Sequence, residues 1–218
     1  MNSAIEIRKT IVSCVTWLHD HGYFGGLLST GGNVSVRVPG ERMLVITPSS
    51  RPYDNLSPGE LCMLDFDRNP VEGSLKPSIE TGMHIGIYEK RPDVGAIVHT
   101  HQDFASLFSL INRPIPSLFD EVVMSIGETV EVIPYALSGS AALVENVKSR
   151  LENGCFCYII QNHGALSLGA TLEQAWKNAE LLEKTAKVYY YALSTGQPVT
   201  TLSAEAIEGI EELKRSMG

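Results

Sequence analysis

The sequence predicts an α/β fold, a single domain over residues 1–218 in which helices flank a central, mixed and mostly antiparallel sheet. Three observations carry that expectation. Helix-period and strand-period segments alternate along the chain with no linker, repeat or low-complexity stretch between them. Several strand pairs are separated only by short turns, which suits antiparallel pairing better than a doubly wound parallel sheet. The composition, 44% hydrophobic and 19% charged over 218 residues, is that of an ordinary globular chain within the size of one compact domain.

Residues 3–20 place Ile5, Ile11, Val12, Val15 and Leu18 near helical spacing, and Gly22 suits the C-cap. The stretch Ser29 to Val38 begins small and polar and ends in strand-like alternation. Pro39-Gly40 supplies a turn before a strand from Met43 to Thr47, which runs into a second small polar segment, Thr47-Pro48-Ser49-Ser50-Arg51. Ser57-Pro58-Gly59-Glu60 reads as an N-cap with proline in the first turn. Met63 to Phe66 is strand-like and residues 67–70 are a turn. A helix is expected to open at Lys76-Pro77-Ser78-Ile79-Glu80 and run to about Lys90, ended by Pro92. Within it Glu80 and His84 are four apart and share a face. The apolar run Val94 to Val98 reads as a buried strand, followed by a helix over 102–110 and an extended connector over 113–116. Further on come a strand near 130–134, a helix over 140–151 and a strand over 156–161. That last strand ends at Asn162-His163-Gly164 and resumes over 165–168. Thr171 and Gln174 form a capping box for a helix to about Ser194, and a last helix spans 203–216.

A formal charge of −8 and the lack of any basic block argue against a nucleic-acid partner. The first six residues lack a cationic region followed by an apolar run, so no signal peptide is expected. No apolar run approaches the roughly 20 residues of a membrane span. The expectation is a soluble, cytoplasmic protein with no membrane partner. Cys14, Cys62, Cys155 and Cys157 read as reduced, buried structural residues, because the Cys155–Cys157 pair has no second close pair to complete a thiolate site.

The chemistry centres on Val98-His99-Thr100-His101, which closes the Val94 strand. Side chains alternate along a strand, so His99 and His101 project to one side. Two neutral imidazoles so placed can begin a site for zinc or another borderline transition metal; otherwise each is a hydrogen-bonded strand-end residue. His163 also follows an apolar strand directly, and Gly164 lets the backbone bend there. Taken with the pair, it completes three imidazoles and leaves a coordination position open for substrate. Glu80 is the candidate acid or base. By itself, Thr30-Gly31-Gly32-Asn33 reads as an ordinary turn.

Five short motifs occur in order along the chain: Gly32-Asn33-Val34-Ser35, Ile46-Thr47-Pro48-Ser49, Lys76-Pro77-Ser78-Ile79-Glu80, His99-Thr100-His101 and Asn162-His163-Gly164. With them the sequence resembles the class II aldolase/adducin family over nearly its whole length. The resemblance implies a three-layer domain in which His99, His101 and His163 hold a divalent metal, usually Zn2+, with Mn2+ or Co2+ as alternatives. It places Glu80 at the catalytic acid/base, which can also contact the metal when substrate is absent. It makes Asn33, Ser49, Ser50 and Ser78 the phosphate contacts, with Gly32 beside them. The implied reaction is retro-aldol cleavage of a ketose phosphate, of the L-fuculose 1-phosphate type, to dihydroxyacetone phosphate and an aldehyde. A metal-stabilised enediolate carries the negative charge, and Glu80 moves a proton at the carbon next to the carbonyl. Small hydroxyl and amide groups with free backbone N–H bonds can cradle a phosphate without a cationic patch. The resemblance also implies a homotetramer with sites near subunit contacts.

The chain departs from the aldolase pattern in places. Ile79 stands where a second serine precedes the glutamate, and Ser50 stands where the pattern has glycine. Asp120, followed by Glu121, falls near the position of a catalytic tyrosine; the epimerase branch uses an aspartate in this region, and both carboxylates read equally well as solvated loop groups. No tyrosine follows Tyr191, and Tyr189 to Tyr191 read as packing residues in a helix. Epimerisation or decarboxylation at the same metal is therefore the alternative reaction. A non-catalytic module like the adducin branch is disfavoured by the retained ligands, and a Schiff base at Lys76 by its place in a polar turn.

Overall fold

The N-terminal apolar stripe forms α1 (Asn2–Asp20), which ends as its sequence suggests. Gly22 takes a positive φ of 77°, and the backbone closes with Tyr23 N donating to Leu18 O at 2.9 Å and Gly22 N to His19 O at 3.0 Å. The structure, a computed structural model, describes residues 2–26 and 30–217; Ser29, which opens the first small polar stretch, lies outside the described residues.

Among the described residues eight strands make one sheet: β1 (Asn33–Arg37), β2 (Met43–Ile46), β3 (Cys62–Asp65), β4 (Pro70–Glu72), β5 (Ala96–Thr100), β6 (Val132–Ile133), β7 (Cys157–Ile160) and β8 (Gly164–Gly169). Their order is β4-β3-β2-β1-β5-β8-β7-β6, with every pair antiparallel except β6 with β7. The helices are α2 (Thr81–Lys90), α3 (Asp103–Ile111), α4 (Asp120–Ser125), α5 (Ala141–Arg150), α6 (Leu172–Ser194) and α7 (Ala204–Met217). The period of two divides the sheet into faces. Leu44, Ile46, Ile97, Tyr158, Ile160 and Leu166 pack on the side of α2 and α5. Val34, Val45, Ala96 and Val98 pack under α1 and the start of α6, and Cys157, Ile159 and Ala165 under α3, α4 and the rest of α6. The domain is thus the three-layer α/β arrangement with a mixed, mostly antiparallel sheet.

Three local expectations change. The helix expected from Lys76 begins at Thr81. Residues 76–78 are engaged with the loop after β2 instead: Pro77 bridges Pro48, Ser49 N donates to Lys76 O, and Ser78 N donates to Thr47 O. The turn expected over 67–70 leads into β4, an edge strand whose first residue is the proline, where its missing N–H costs no ladder bond. The six-residue α4 is too short to show a period in sequence. All four cysteines are free and buried. Among the described residues no helix is long and apolar enough to cross a membrane.

Helix α2 is buried on nearly all sides because it lies between the sheet and α5. Gly86 makes this possible: a Cβ there would stand 2.8 Å from Val144 of α5. The opposite stripe of α2 is thereby pressed onto β1. Ile97, fully buried at the middle of the sheet under this helix, sets the depth of that contact. Ile97→Ala should lower stability by about 2–5 kcal/mol, read as a fall in the thermal unfolding midpoint, with secondary structure retained below it.

Candidate metal centre

Strand pairing builds the site. The β1–β5 register sets Asn33 opposite His99, and the β5–β8 register sets His99 opposite Leu166 and Thr100 opposite Ala165. His101 continues just past the end of β5, its N–H donating to Tyr23 O at 2.8 Å. His163 sits in the turn that enters β8. Its neighbour Gly164 has no room for a side chain: a Cβ would abut the Thr100 carbonyl and stand 2.6 Å from His101 Cδ2. Sixty-odd residues of separation in sequence close to a few ångströms at one end of the sheet.

The three rings converge through their Nε2 atoms. His99 Nε2 lies 3.1 Å from His101 Nε2 and 3.3 Å from His163 Nε2, and the three lie within 4.8 Å of one another. The His99 Nδ1–H donates to Ala165 O at 2.9 Å, which fixes the tautomer and turns the Nε2 lone pair into the cluster. The Glu80 carboxylate closes the fourth side, with Oε2 3.2 Å from His99 Nε2 and Oε1 3.3 Å from His163 Nε2. A ring that donates at Nδ1 and faces both a carboxylate and two further imidazole nitrogens at Nε2 needs a second proton or a cation there. Three nitrogens around zinc at about 2.0–2.1 Å in tetrahedral geometry would stand roughly 3.3 Å apart. The observed spacing of two of the three pairs fits that, and so does Glu80 Oε1, which is buried without a hydrogen-bond partner among the described residues. The donor set fits a divalent metal of borderline softness.

Electrostatics agree. Burial lowers the pKa of His101 to about 3 and of His163 to about 4, with the charge on His99 acting in the same direction, so both offer neutral nitrogens at neutral pH. Burial works against the charge on His99 as well, yet Glu80 outweighs it and lifts that ring above its ordinary value. Burial likewise opposes the charge on Glu80, but His99, His163 and a hydrogen bond from Asn33 hold the carboxyl well below the usual carboxylate range.

The segments read as phosphate contacts gather beside Glu80. Tyr53 OH donates to Gly32 O at 2.9 Å, and Gly32 itself has φ +69° with a Cβ position only 2.6 Å from His99 O. Thr47 N donates to Val34 O, and the Pro48–Pro77 bridge lays Ser49 and Ser50 next to Ser78. Ser49 and Ser50 hydroxyls stand 3.4 Å apart, Ser50 being exposed in the left-handed region at φ 56°. The Ser78 hydroxyl accepts from Glu80 N at 3.2 Å. Asn33 is nearly inaccessible, its Nδ2 donating to Glu80 Oε2 at 2.8 Å and its Oδ1 meeting His84 Nε2 at 2.6 Å. Ile79 is exposed among these polar groups.

Asp120 is not brought to this cluster within the chain. It starts α4 at the surface, in the layer of α6 and α7 across the sheet from α2. Glu121 beside it pairs with Lys184 of α6 on the surface. Two groups near the imidazoles carried no role in the sequence reading. Ser138, in the loop between β6 and α5, places its hydroxyl 3.4 Å from His163 Nε2, and nothing in its sequence context signals that. His84 is wholly buried behind Asn33; its spacing of four from Glu80 was the one available signal.

A three-layer domain whose sheet carries three converging imidazoles and a buried carboxylate at one end has the donor set of a metal-dependent enzyme. The chain belongs to the class II aldolase and adducin family: the family model described as Class II Aldolase and Adducin N-terminal domain matches residues 9–190. The L-fuculose phosphate aldolase of Escherichia coli O6:H1 is 34% identical over 189 residues, 87% of this chain and 86% of that one. A 5-methylthioribulose-1-phosphate/5-deoxyribulose-1-phosphate aldolase of Rhodospirillum rubrum is 34% identical over 216 residues, 99% of this chain and 94% of that one. Among solved structures, an L-fuculose 1-phosphate aldolase superposes with a TM-score of 0.89 at 28% identity, covering 96% of both chains.

Gly164→Ala should push the His101 ring out of the cluster. Metal affinity is then expected to fall about 10- to 100-fold in a chelator-competition titration, the range seen when ligand orientation is disturbed.

Proposed function

We propose that this lyase of the class II aldolase family cleaves a ketose 1-phosphate between the third and fourth carbons, giving dihydroxyacetone phosphate and an aldehyde. The observation that carries the reading is the convergence of three imidazole Nε2 atoms, His99 lying 3.1 Å from His101 and 3.3 Å from His163, with the Glu80 carboxylate 3.2 Å from His99 and 3.3 Å from His163. It occurs in a chain 34% identical to two sugar-phosphate aldolases.

His99, His101 and His163 would hold the metal, with Zn2+ the best match to three imidazoles and Mn2+ or Co2+ as other candidates. When bound, a divalent cation polarises the ketose carbonyl and favours the negative charge that develops on its oxygens. As the bond to the fourth carbon breaks, the hydroxyl there gives up its proton and becomes the aldehyde, and Glu80 supplies a proton to the carbon next to the carbonyl, which has lost that bond. Asn33 fixes the Oε2 end of that carboxylate, leaving Oε1 toward the imidazoles. Gly32 keeps the loop close enough to pack on the β5 backbone, and Ser49, Ser50 and Ser78 offer hydroxyls to the phosphate near the N-terminus of α2, where an anion is favoured. Asp120 stands on the far side of the sheet within one chain, and the preference for cleavage over epimerisation or decarboxylation rests on the 34% identity to two sugar-phosphate aldolases. A homotetramer of this acidic chain, acting in the cytoplasm, completes the reading, and native mass spectrometry should find four copies.

Metal-loaded protein is expected to cleave at least one member of a panel holding L-fuculose 1-phosphate and 5-methylthioribulose 1-phosphate, with dihydroxyacetone phosphate detected by a coupled reduction. Cleavage of no ketose 1-phosphate in the panel overturns the assignment. Glu80→Gln should retain metal by elemental analysis and lose about 10²- to 10⁴-fold in kcat. Chelation should abolish activity and Zn2+ restore it.

A further inference from the structure

The carboxylate proposed to move the proton is the end of a longer buried chain. Glu80, the N-cap of α2, and His84 and Tyr88 within the helix follow one another at intervals of four on the side pressed onto the sheet. Asn33 and Ser35 follow at an interval of two along the facing side of β1. Four helical residues rise about 6 Å and two strand residues about 6.8 Å, so the two rows match closely enough to interleave. They do: Glu80 Oε2 to Asn33 Nδ2 is 2.8 Å, Asn33 Oδ1 to His84 Nε2 is 2.6 Å, His84 Nδ1 to Ser35 Oγ is 2.7 Å, and Ser35 Oγ to Tyr88 OH is 2.7 Å. Exposure is 0% at His84 and Ser35, 1% at Tyr88, 3% at Asn33 and 4% at Glu80, so water does not substitute for any of these partners.

The donors and acceptors run one way. An ionised carboxylate only accepts, so the Asn33 amide must present its nitrogen to Glu80 and its oxygen to His84. His84 then donates through Nε2 and accepts at Nδ1 from the Ser35 hydroxyl, whose oxygen accepts from Tyr88. Reversing the amide would set its oxygen against the carboxylate, a buried conflict that is costly in a dry interior.

The geometry points to His84 as a positioning residue: through its Nε2–H it locks the Asn33 amide, and the amide holds the Glu80 carboxylate aimed at the three imidazoles. This rests on the role given to Glu80 above. His84 touches neither the imidazole cluster nor the position of a substrate, and acts only through Asn33. Burial, foremost, together with the charge on His99 lowers its pKa to about 3 despite Glu80, so the ring is neutral through the working range, and its tautomer is set by the Asn33 oxygen at Nε2, with the Ser35 hydroxyl at Nδ1. A consequence follows for Asn33, read from the resemblance as a phosphate contact. Its oxygen and one amide hydrogen are committed to His84 and Glu80, so at most one hydrogen is left for an anion.

Two readouts test this on the intact, metal-loaded protein. The ¹⁵N shifts of the His84 ring should show a neutral imidazole protonated at Nε2 from about pH 6 to 8, a preference that Ser35→Ala weakens. A ring protonated at Nδ1 overturns the inference, whatever the activity. The second readout is kinetic, using ketose 1-phosphate cleavage and deuterium exchange into dihydroxyacetone phosphate. His84→Leu should keep its metal content and leave KM within about twofold, while kcat and exchange fall roughly 10- to 100-fold, the cost of a misplaced catalytic group. His84→Gln, whose side-chain amide can donate from near the Nε2 position, should recover to within a few-fold of the parent. Equal kcat in His84→Leu and parent, or failure of His84→Gln to improve on His84→Leu, overturns the inference. Should His84→Leu not fold, Ser35→Ala takes its place, expected to lose kcat several-fold with KM unchanged; an unchanged kcat there counts against the inference. A parent protein that neither cleaves nor exchanges defeats the aldolase proposal, and the ring tautomer still decides this one.

Discussion

The structure depends on a matching of repeats between one helix stripe and one strand face. Helix α2 puts polar groups on the sheet every fourth residue, and β1 offers polar groups every second residue on the side that faces it. Their rises per repeat agree within about an ångström. The buried side chains from Glu80 to Tyr88 along this seam are therefore each joined to the next at 2.6–2.8 Å, where a mismatch would leave several unsatisfied in the centre of the protein. The apolar remainder of α2, packed between the sheet and α5 with Gly86 at the closest approach, holds the helix at the depth this requires.

The same seam joins the site to the sheet. Asn33 lies at one end of the polar chain and opposite His99 in the β1–β5 ladder. Strand register thus fixes the carboxylate relative to the imidazoles in two independent ways, by the helix that carries Glu80 and by the strand that carries its hydrogen-bond partner. Such double fixation suits the role proposed for Glu80, since a carboxylate free to rotate spends its time in unproductive directions. It also explains why a site built on strand ends can tolerate the surrounding surface loops: the atoms that matter are tied to interior backbone.

Charge balance explains the dry character of the centre. Three imidazoles and one carboxylate are placed where burial penalises every charge. Glu80 and His99 stabilise one another against that penalty, while His101 and His163 are kept neutral by burial and by the charge beside them. A cluster of facing nitrogen lone pairs is a poor neighbour for itself and a good one for a cation. The side proposed for the phosphate contrasts with it, being hydroxyls and backbone around a helix start in a chain of net charge −8, with no cationic patch needed.

The sequence by itself determined which segments are strands and helices wherever apolar period and caps were strong, as in α1, β5, β7 and α6, and it singled out His99, His101, His163 and Glu80. Local stereochemistry suffices there: alternation puts His99 and His101 on one side, and spacing of four puts Glu80 and His84 on one stripe. Tertiary structure alone decided what lies across a gap. Pairing with the Pro48 loop moved the start of α2 from Lys76 to Thr81, because backbone groups of 76–78 found partners 27 or more residues away. The short α4, the proximity of Ser138 to His163, and the chain from Tyr88 through His84 to Glu80 were equally invisible. A sequence states periods along one element, whereas the phase between two elements is set only when their side chains pack. Likewise Asn33 was legible as a small polar residue near the site, and only packing showed that its two amide ends are committed to a carboxylate and a buried imidazole.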